Sequence, residues 1–514
     1  MKRSAGILMP ISSLPSPYGI GTMGQSARDF IDFCEKAGQS WWQVLPIGPT
    51  GYGDSPYQSF SSNAGNPYFI DLDDLCAEGY LKKEEYANEK WGSNPSAVDY
   101  GQLYAKRFPV LRKAVARIAE IRPEGYLTFL RDNAYWLNDY ALFMAEKDAH
   151  GGQAYTTWEE DIRMHKEEAL VEERVRLQKD VDFYIGIQYL FFMQWKKMKE
   201  YAHSHGVGLI GDVPIYVSPD SSDIWGSPQY FQLDEDLKPT GVAGCPPDAF
   251  AADGQLWGNP LYNWDKMKED GYTWWVNRVR YQFEFVDILR IDHFRGFESY
   301  FCIPYGDTTA RNGVWKKGPG AELFRTIEEK LGKVDIIAED LGFLTPEVIQ
   351  MVKETGYPGM KVLQFAFDPR DTGSGYLPHL YTPNSVVYPG THDNQTIMSW
   401  MSDSPEGFAE NAIEYLHLDT KEGYNWGFIR SAYGSVSALA IVQMQDILGL
   451  KDEARMNTPS TLGNNWTWRA VKKYFTDKLA DKLHRYSEIY GRLPEKKKEE
   501  PSVDTDAKPE VETA

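Results

Sequence analysis

The chain has 514 residues, 42% of them apolar, and sets 54 basic against 74 acidic side chains for a net charge of −20. The segment 494–514, with 7 acidic and 4 basic residues, accounts for only −3 of this. The body itself is therefore acidic, which argues against nucleic acid and anionic membrane surfaces as partners, because both need a basic footprint.

Length alone suggests about three domains, but an α/β barrel reaches this size as one unit. Residues 1–10 show neither a secretory apolar stretch nor a cleavage pattern, and no run of 18 apolar residues predicts a membrane span. Cys34, Cys76, Cys245 and Cys302 have neither metal-ligand nor disulfide-framework spacing. A cytoplasmic protein is expected, although a mature plastid form would look the same.

Short apolar runs ending in Gly, Pro or an acid alternate with helical patterns. The first run is 6–10. Ser26 then reads as an N-cap, with Ala27, Phe30, Ile31 and Cys34 on one helical face and Gly38 as the stop. Further runs follow at 41–46, 208–212, 286–292, 334–339, 361–365, 385–388 and 438–442. Eight strands alternating with helices predict an α/β fold, a closed (β/α)8 TIM barrel. A doubly wound open sheet is the weaker alternative, since no GxGxxG turn follows an early strand. The mostly helical stretch at about 72–206 reads as an insertion on the loop face, or as a separate domain. Residues 1–493 then form one catalytic unit, and 494–514, without aromatics, read as a disordered acidic tail.

Barrel enzymes carry their chemistry at the C-terminal ends of the strands. Asp212, Asp292, Glu339 and Asp393 fall at or just after such ends. Any one of them alone is more simply a helix or turn cap. Several on one rim force a pKa upward, which costs stability unless it is used. Two carboxylates in one cleft suit glycosidic chemistry. Arg290, two residues before Asp292 and on the same strand face, would keep Asp292 ionised as a nucleophile. Glu339, with acidic neighbours, would hold the proton. Asp393 would brace the charge developing on the sugar, with His293 and His392 as donors to hydroxyls. The 16 Trp, 32 Tyr and 24 Phe offer flat faces with polar tips that suit sugar rings, although core filling is the plainer use.

The strings Gly211-Asp212-Val213-Pro214, Arg290-Ile291-Asp292-His293-Phe294-Arg295-Gly296, Ala338-Glu339-Asp340-Leu341-Gly342 and Gly390-Thr391-His392-Asp393-Asn394 resemble the four signature segments of the α-amylase clan. Up to about Gly491 the chain resembles the amylomaltase or disproportionating-enzyme family, the 4-α-glucanotransferases of glycoside hydrolase family 77. Gly53-Asp54-Ser55-Pro56-Tyr57, Trp257-Gly258-Asn259-Pro260-Leu261-Tyr262 and Asn457-Thr458-Pro459-Ser460-Thr461 extend the likeness. The resemblance implies Asp292 as nucleophile, Glu339 as acid/base and Asp393 as transition-state stabiliser. Asp212, Arg290, His293 and His392 would line the central sugar subsite, and Ser55, Tyr57 and Trp257 would also bind substrate. It also implies helical inserts, no C-terminal β-domain and no cofactor.

A glycosyl-enzyme is resolved by water in hydrolysis and by another glucan's 4-hydroxyl in transfer; binding the acceptor and excluding water favours transfer. The Gly/Pro/Asp-rich stretch within 244–262 is expected to be a lid loop over the acceptor side. Tyr52 is either a contact at a second glucan site or a loop anchor. No metal is expected: no EF-hand or HExxH pattern occurs, and His203 and His205 read as solvated. The expected partners are α-1,4-glucans and maltooligosaccharides, with glucose as an acceptor. A hydrolase on the same barrel and a catalytically dead glucan-binding protein are the rival readings.

Overall fold

The computed structural model describes residues 1–247, 252–342, 344–371 and 374–495, the side chain of Tyr52 excepted. Its strands are β1 (Ser4–Leu8), β2 (Trp41–Gln43), β3 (Gly208–Val213), β4 (Gly241–Cys245), β5 (Gln255–Pro260), β6 (Ile288–Ile291), β7 (Ser299–Pro304), β8 (Val314–Lys317), β9 (Ile336–Ala338), β10 (Gly359–Val362), β11 (Ser385–Tyr388) and β12 (Leu439–Gln443). Eight of them close a parallel barrel in the order β1-β12-β11-β10-β9-β6-β3-β2. The barrel strands are short and buried on both faces, as continuous apolar runs in a parallel sheet require. The seam is β1 on β12, in register from Ser4 opposite Leu439 to Leu8 opposite Gln443. Arg492, fully buried, fastens the seam from below. Its guanidinium donates to the carbonyls of Ser4 (2.8 Å), Tyr433 (2.8 Å) and Ser437 (3.0 Å).

All eight predicted runs meet a barrel strand, with two local corrections. The run at 361–365 sits too late: the strand is Gly359–Val362, and Leu363–Ala366 coils into a 3-10 turn. Continuous apolarity does not separate a strand end from a buried turn. The first helix spans Gln25–Lys36 with Gly24, not Ser26, at its N-cap; Ser26 lies in the first turn and its hydroxyl donates to the Thr22 carbonyl at 3.0 Å.

Between β2 and β3 run the helices Tyr100–Ala116, Tyr126–Ala149, Glu167–Arg176 and Gln178–Ser204, after a short one at Leu72–Ala77. The last long helix does double duty. It packs on Tyr126–Ala149 within the insertion, yet also on Gln25–Lys36 and β3 as a barrel crossover, and Trp195 donates its indole N–H to the Phe285 carbonyl of the next barrel helix, at 3.0 Å.

The sequence did not reveal the four-stranded antiparallel sheet β5-β4-β7-β8, built from the loops after β3 and β6. The stretch expected as a lid loop at 244–262 is, in its described part, a hairpin edge of this sheet: β4 pairs with β5 and with β7. Residues 248–251 lie outside the described residues, as does the tail from 496. Among the described residues no strand follows β12, so no C-terminal β-domain is built.

Candidate active site

Where the barrel strands end, the inward side chains turn from apolar to polar. β3 supplies Asp212 and the paired β6 supplies Arg290, its cross-strand neighbour. Arg290 Nη1 donates to both oxygens of Asp212 at 2.6 Å, and its Nη2 donates to Asp292 Oδ1 at 2.9 Å. The two carboxylates part company in exposure. The Asp212 side chain is 0% exposed, whereas Asp292 is 30% exposed and lines an open cleft. Asp212 is thus an anchor for the guanidinium. Asp292 has its Oδ2 free of donors among the described residues, and the residue lines a space that a ligand can enter. Burial pulls the Arg290 pKa down, but the adjacent Asp212 and Asp292 more than reverse this and hold it firmly charged.

Glu339 follows β9, next in the barrel. Its Oε2 accepts the backbone N–H of His293 at 2.6 Å and its Oε1 that of Leu341 at 3.0 Å. Burial, then the charge of Asp292, pushes its pKa up to about 7 against the pull of Arg290 and the two amides. The acidic neighbour that matters is therefore Asp292 and not, as the local sequence suggests, Asp340. Asp340 turns away and accepts the Met360 N–H at 2.7 Å. It packs so tightly on Gly359 that a Cβ there would lie 2.4 Å from its Oδ2.

Asp393, after β11, meets His392 Nε2 at 3.3 Å and accepts from Asn457 Nδ2 at 2.6 Å. Burial alone would raise its pKa, but His392 and Asn457 outweigh burial and hold the carboxyl far below the usual range. The Tyr57 hydroxyl bridges Asp212 Oδ2 (2.8 Å) and His392 Nε2 (2.9 Å), and its ring stacks on His392 with centroids 5.4 Å apart. His293 sits at φ 51°, edge-on to Trp257 at 4.8 Å. Burial lowers its pKa to about 4, so it is neutral near pH 7, and its Nε2 has no hydrogen-bond partner among the described residues.

A model of the 4-alpha-glucanotransferase family, glycoside hydrolase 77, matches residues 9–473. The chain belongs to this family. It is 50% identical over 487 residues to the 4-alpha-glucanotransferase of Clostridium butyricum, covering 94% of this chain and all of the relative. It is 44% identical to that of Thermus thermophilus, covering 96% and 100%. Amylomaltase from Streptococcus agalactiae, solved in complex with acarbose, superposes with a TM-score of 0.93 at 42% identity, over 96% of this chain and all of that one. The chain is accordingly a 4-α-glucanotransferase on an amylomaltase barrel.

In this glucanotransferase the cleft holds about 580 Å3. Ser55, Tyr57, Trp257, His392, Asp292 and Asp393 line it together, while Asp212, Arg290, His293 and Glu339 stand behind or beside them. Tyr52 has its backbone in a turn at Tyr52–Asp54; its side chain lies outside the described residues. Sequence reasoning passed over the loop after β12, which braces Asp393. Besides the Asn457 amide, Arg455 donates to the Asp393 carbonyl at 2.8 Å and to the Asn457 carbonyl at 2.8 Å. Trp466 from the same loop closes against Tyr57 and His392, at 5.7 and 5.9 Å. The string beginning at Asn457 was visible as a motif, but nothing in it points to a partner 64 residues upstream.

Proposed function

We propose that the glucanotransferase works by double displacement through Asp292, Glu339 and Asp393, on one catalytic unit of residues 1–493. Asp292 Oδ2 attacks the anomeric carbon of an α-1,4-linked glucosyl unit while Glu339 gives its proton to the departing 4-oxygen. The covalent ester neutralises Asp292. That removes a charge which had raised the Glu339 pKa, so Glu339 becomes a readier base as its second role begins. It then takes the proton of an incoming 4-hydroxyl, and the anomeric configuration is retained. Asp393, held ionised, faces the positive charge that builds on the ring. His293, neutral and unpartnered at Nε2, and His392 serve sugar hydroxyls; Trp257 and Tyr57 offer apolar faces.

The observation that carries this reading is the contrast on one guanidinium: Asp212 sealed, Asp292 open, with Glu339 beside them near neutrality. The donors and acceptors are α-1,4-glucans and maltooligosaccharides, with glucose as the smallest acceptor. No step calls for a metal or cofactor. The β4–β5 hairpin, which carries Trp257 to the cleft, supports acceptor binding over water. A second cavity of about 700 Å3, bordered by Gly51, Tyr68, Tyr100 and Tyr104, opens beside the backbone turn that carries Tyr52 and favours, of the two readings of that residue, a second glucan contact over a loop anchor. Among the described residues no helix is long and apolar enough to cross a membrane, and the acidic surface favours neither membrane nor nucleic acid; we place the enzyme in the cytoplasm.

The test is incubation with maltotriose and chromatography of the products. Glucose plus a ladder of longer oligomers at constant total reducing ends is the expected result. Rising reducing ends would make it a hydrolase, and no product would make it a binding protein.

A further inference from the structure

A third cavity, of about 250 Å3, lies where the insertion helix Tyr126–Ala149 meets the barrel helix Thr273–Phe285 and the loop after β3. Asn63, Tyr135, Asp139, Asp223, Trp274 and Asn277 border it. Its charge is balanced. Asp223 accepts from the Ser62 N–H (2.8 Å) and hydroxyl (2.5 Å), and burial raises its pKa against the Arg278 guanidinium. Asp139 faces Arg174 at 3.4 Å and His165 at 3.6 Å. An ion gains little in such a place, because each carboxylate already has a counter-charge or donors.

What the cavity has to spare is neutral hydrogen bonding beside aromatic surface. Asn277 Oδ1 is taken by Arg280 at 2.7 Å, which leaves Nδ2 without an acceptor among the described residues, and Asn63 Nδ2 is likewise free. Tyr135 stands 54% exposed at the rim, and Trp274 is half-buried. Free amide donors, carboxylate acceptors and aromatic rings around a space for a single hexose are the complement of a glucosyl unit. The cavity also shares a wall with the catalytic cleft. Arg278, which borders it, donates to the carbonyls of Pro214 (2.8 Å) and Ile215 (3.1 Å), and these two residues line the cleft.

We propose that this cavity is an anchoring site for one glucosyl unit of a long α-glucan, which holds the polymer so that its other chain ends reach the cleft at raised effective concentration. The inference rests on the glucan reading of the cleft, and short substrates test that reading separately. Wild type, Tyr135→Ala/Asn277→Ala and Asn63→Ala would be compared by native electrophoresis through gels containing glycogen, and by kinetics on glycogen and on maltotriose. Loss of an aromatic contact and a hydrogen bond should weaken glycogen retardation and raise its KM by about fivefold in the double variant and less in Asn63→Ala. Maltotriose kcat/KM should stay within about twofold of wild type, since one glucosyl anchor adds nothing to a three-sugar donor bound in the cleft. Unchanged glycogen retardation in both variants, with wild-type maltotriose activity, overturns the anchoring site and leaves the catalytic reading intact. A parallel loss on both substrates in both variants also overturns it, because the residues would then be supporting the barrel. A wild type that makes no ladder from maltotriose removes the glucan reading itself.

Discussion

Among the described residues, two clusters of acids lift a buried glutamate toward neutrality. Beside the cleft it is Glu339, at about 7. In the helical insertion it is Glu146, 0% exposed and pushed up to about 8 by burial first and then by Glu173. Each cluster has its own guanidinium: Arg290 in the first, and in the second Arg176, 3.3 Å from Glu146. The difference is access. Glu339 stands beside Asp292, which opens on the cleft. Glu146 has an oxygen, Oε1, with no donor among the described residues and faces Glu173 of the helix Glu167–Arg176 from its own helix Tyr126–Ala149, lining none of the cavities described above. A raised carboxyl pKa marks a place where desolvation outruns compensation. It marks chemistry only where a substrate can reach it.

Substitutions on either side of this comparison should separate in size. Asp292→Asn should remove turnover on maltotriose by on the order of 10^4-fold or more while leaving the far-UV circular dichroism unchanged; substantial activity would take the nucleophile away from this residue. Glu339→Gln should cost roughly 10^3-fold on maltotriose and far less on a glucosyl fluoride donor, whose leaving group needs little protonation. In the wild type, kcat/KM should fall as pH rises through about 7, where Glu339 loses the proton it must donate. Asn457→Ala should lower kcat by roughly 10–100-fold with little change in KM, because the Asp393 carboxylate loses its closest donor.

Glu146→Gln should leave all of these kinetics alone. Its effect is on stability, and the sign follows from linkage. Glu146 binds its proton more tightly folded than unfolded. It therefore weighs against the native state progressively as pH rises from the ordinary glutamate range through about 8, and not below that range. The amide variant should melt higher than wild type by about 1–2 °C at pH 9 and equally at pH 4. A kinetic phenotype would mean that the insertion cluster feeds the cleft.

Much of this could be read from residues alone, for identifiable reasons. Parallel strands buried on both faces are continuous apolar runs, so all eight barrel strands stood out, and acids at their ends announced the rim. The accessory sheet did not. Gly241–Cys245 holds two glycines, and Val314–Lys317 is exposed along its whole length, so neither shows a strand's period. The same holds for contacts closed across long sequence distances. Tyr57 bridging Asp212 and His392, and Asn457 clasping Asp393, are made by the fold and leave no local pattern. The acidic neighbour of Glu339 is likewise a product of the fold: Asp340, next to it in sequence, is turned to Met360, and Asp292, from the end of another strand, is the acid that adds to burial in raising its pKa.

The seam of the barrel has a consequence for how the protein comes into being. Ser4–Leu8 is made shortly before its neighbour β2, but its other neighbour, Leu439–Gln443, is made far later, and Arg492 later still. Closure therefore waits until β12 has been made. Until then the first strand keeps one hydrogen-bonding edge open in the crowded cell, and chaperone protection or rapid docking of the N-terminal half must cover that interval. Translation arrested short of Leu439 would yield an unclosed barrel, a natural substrate for quality control.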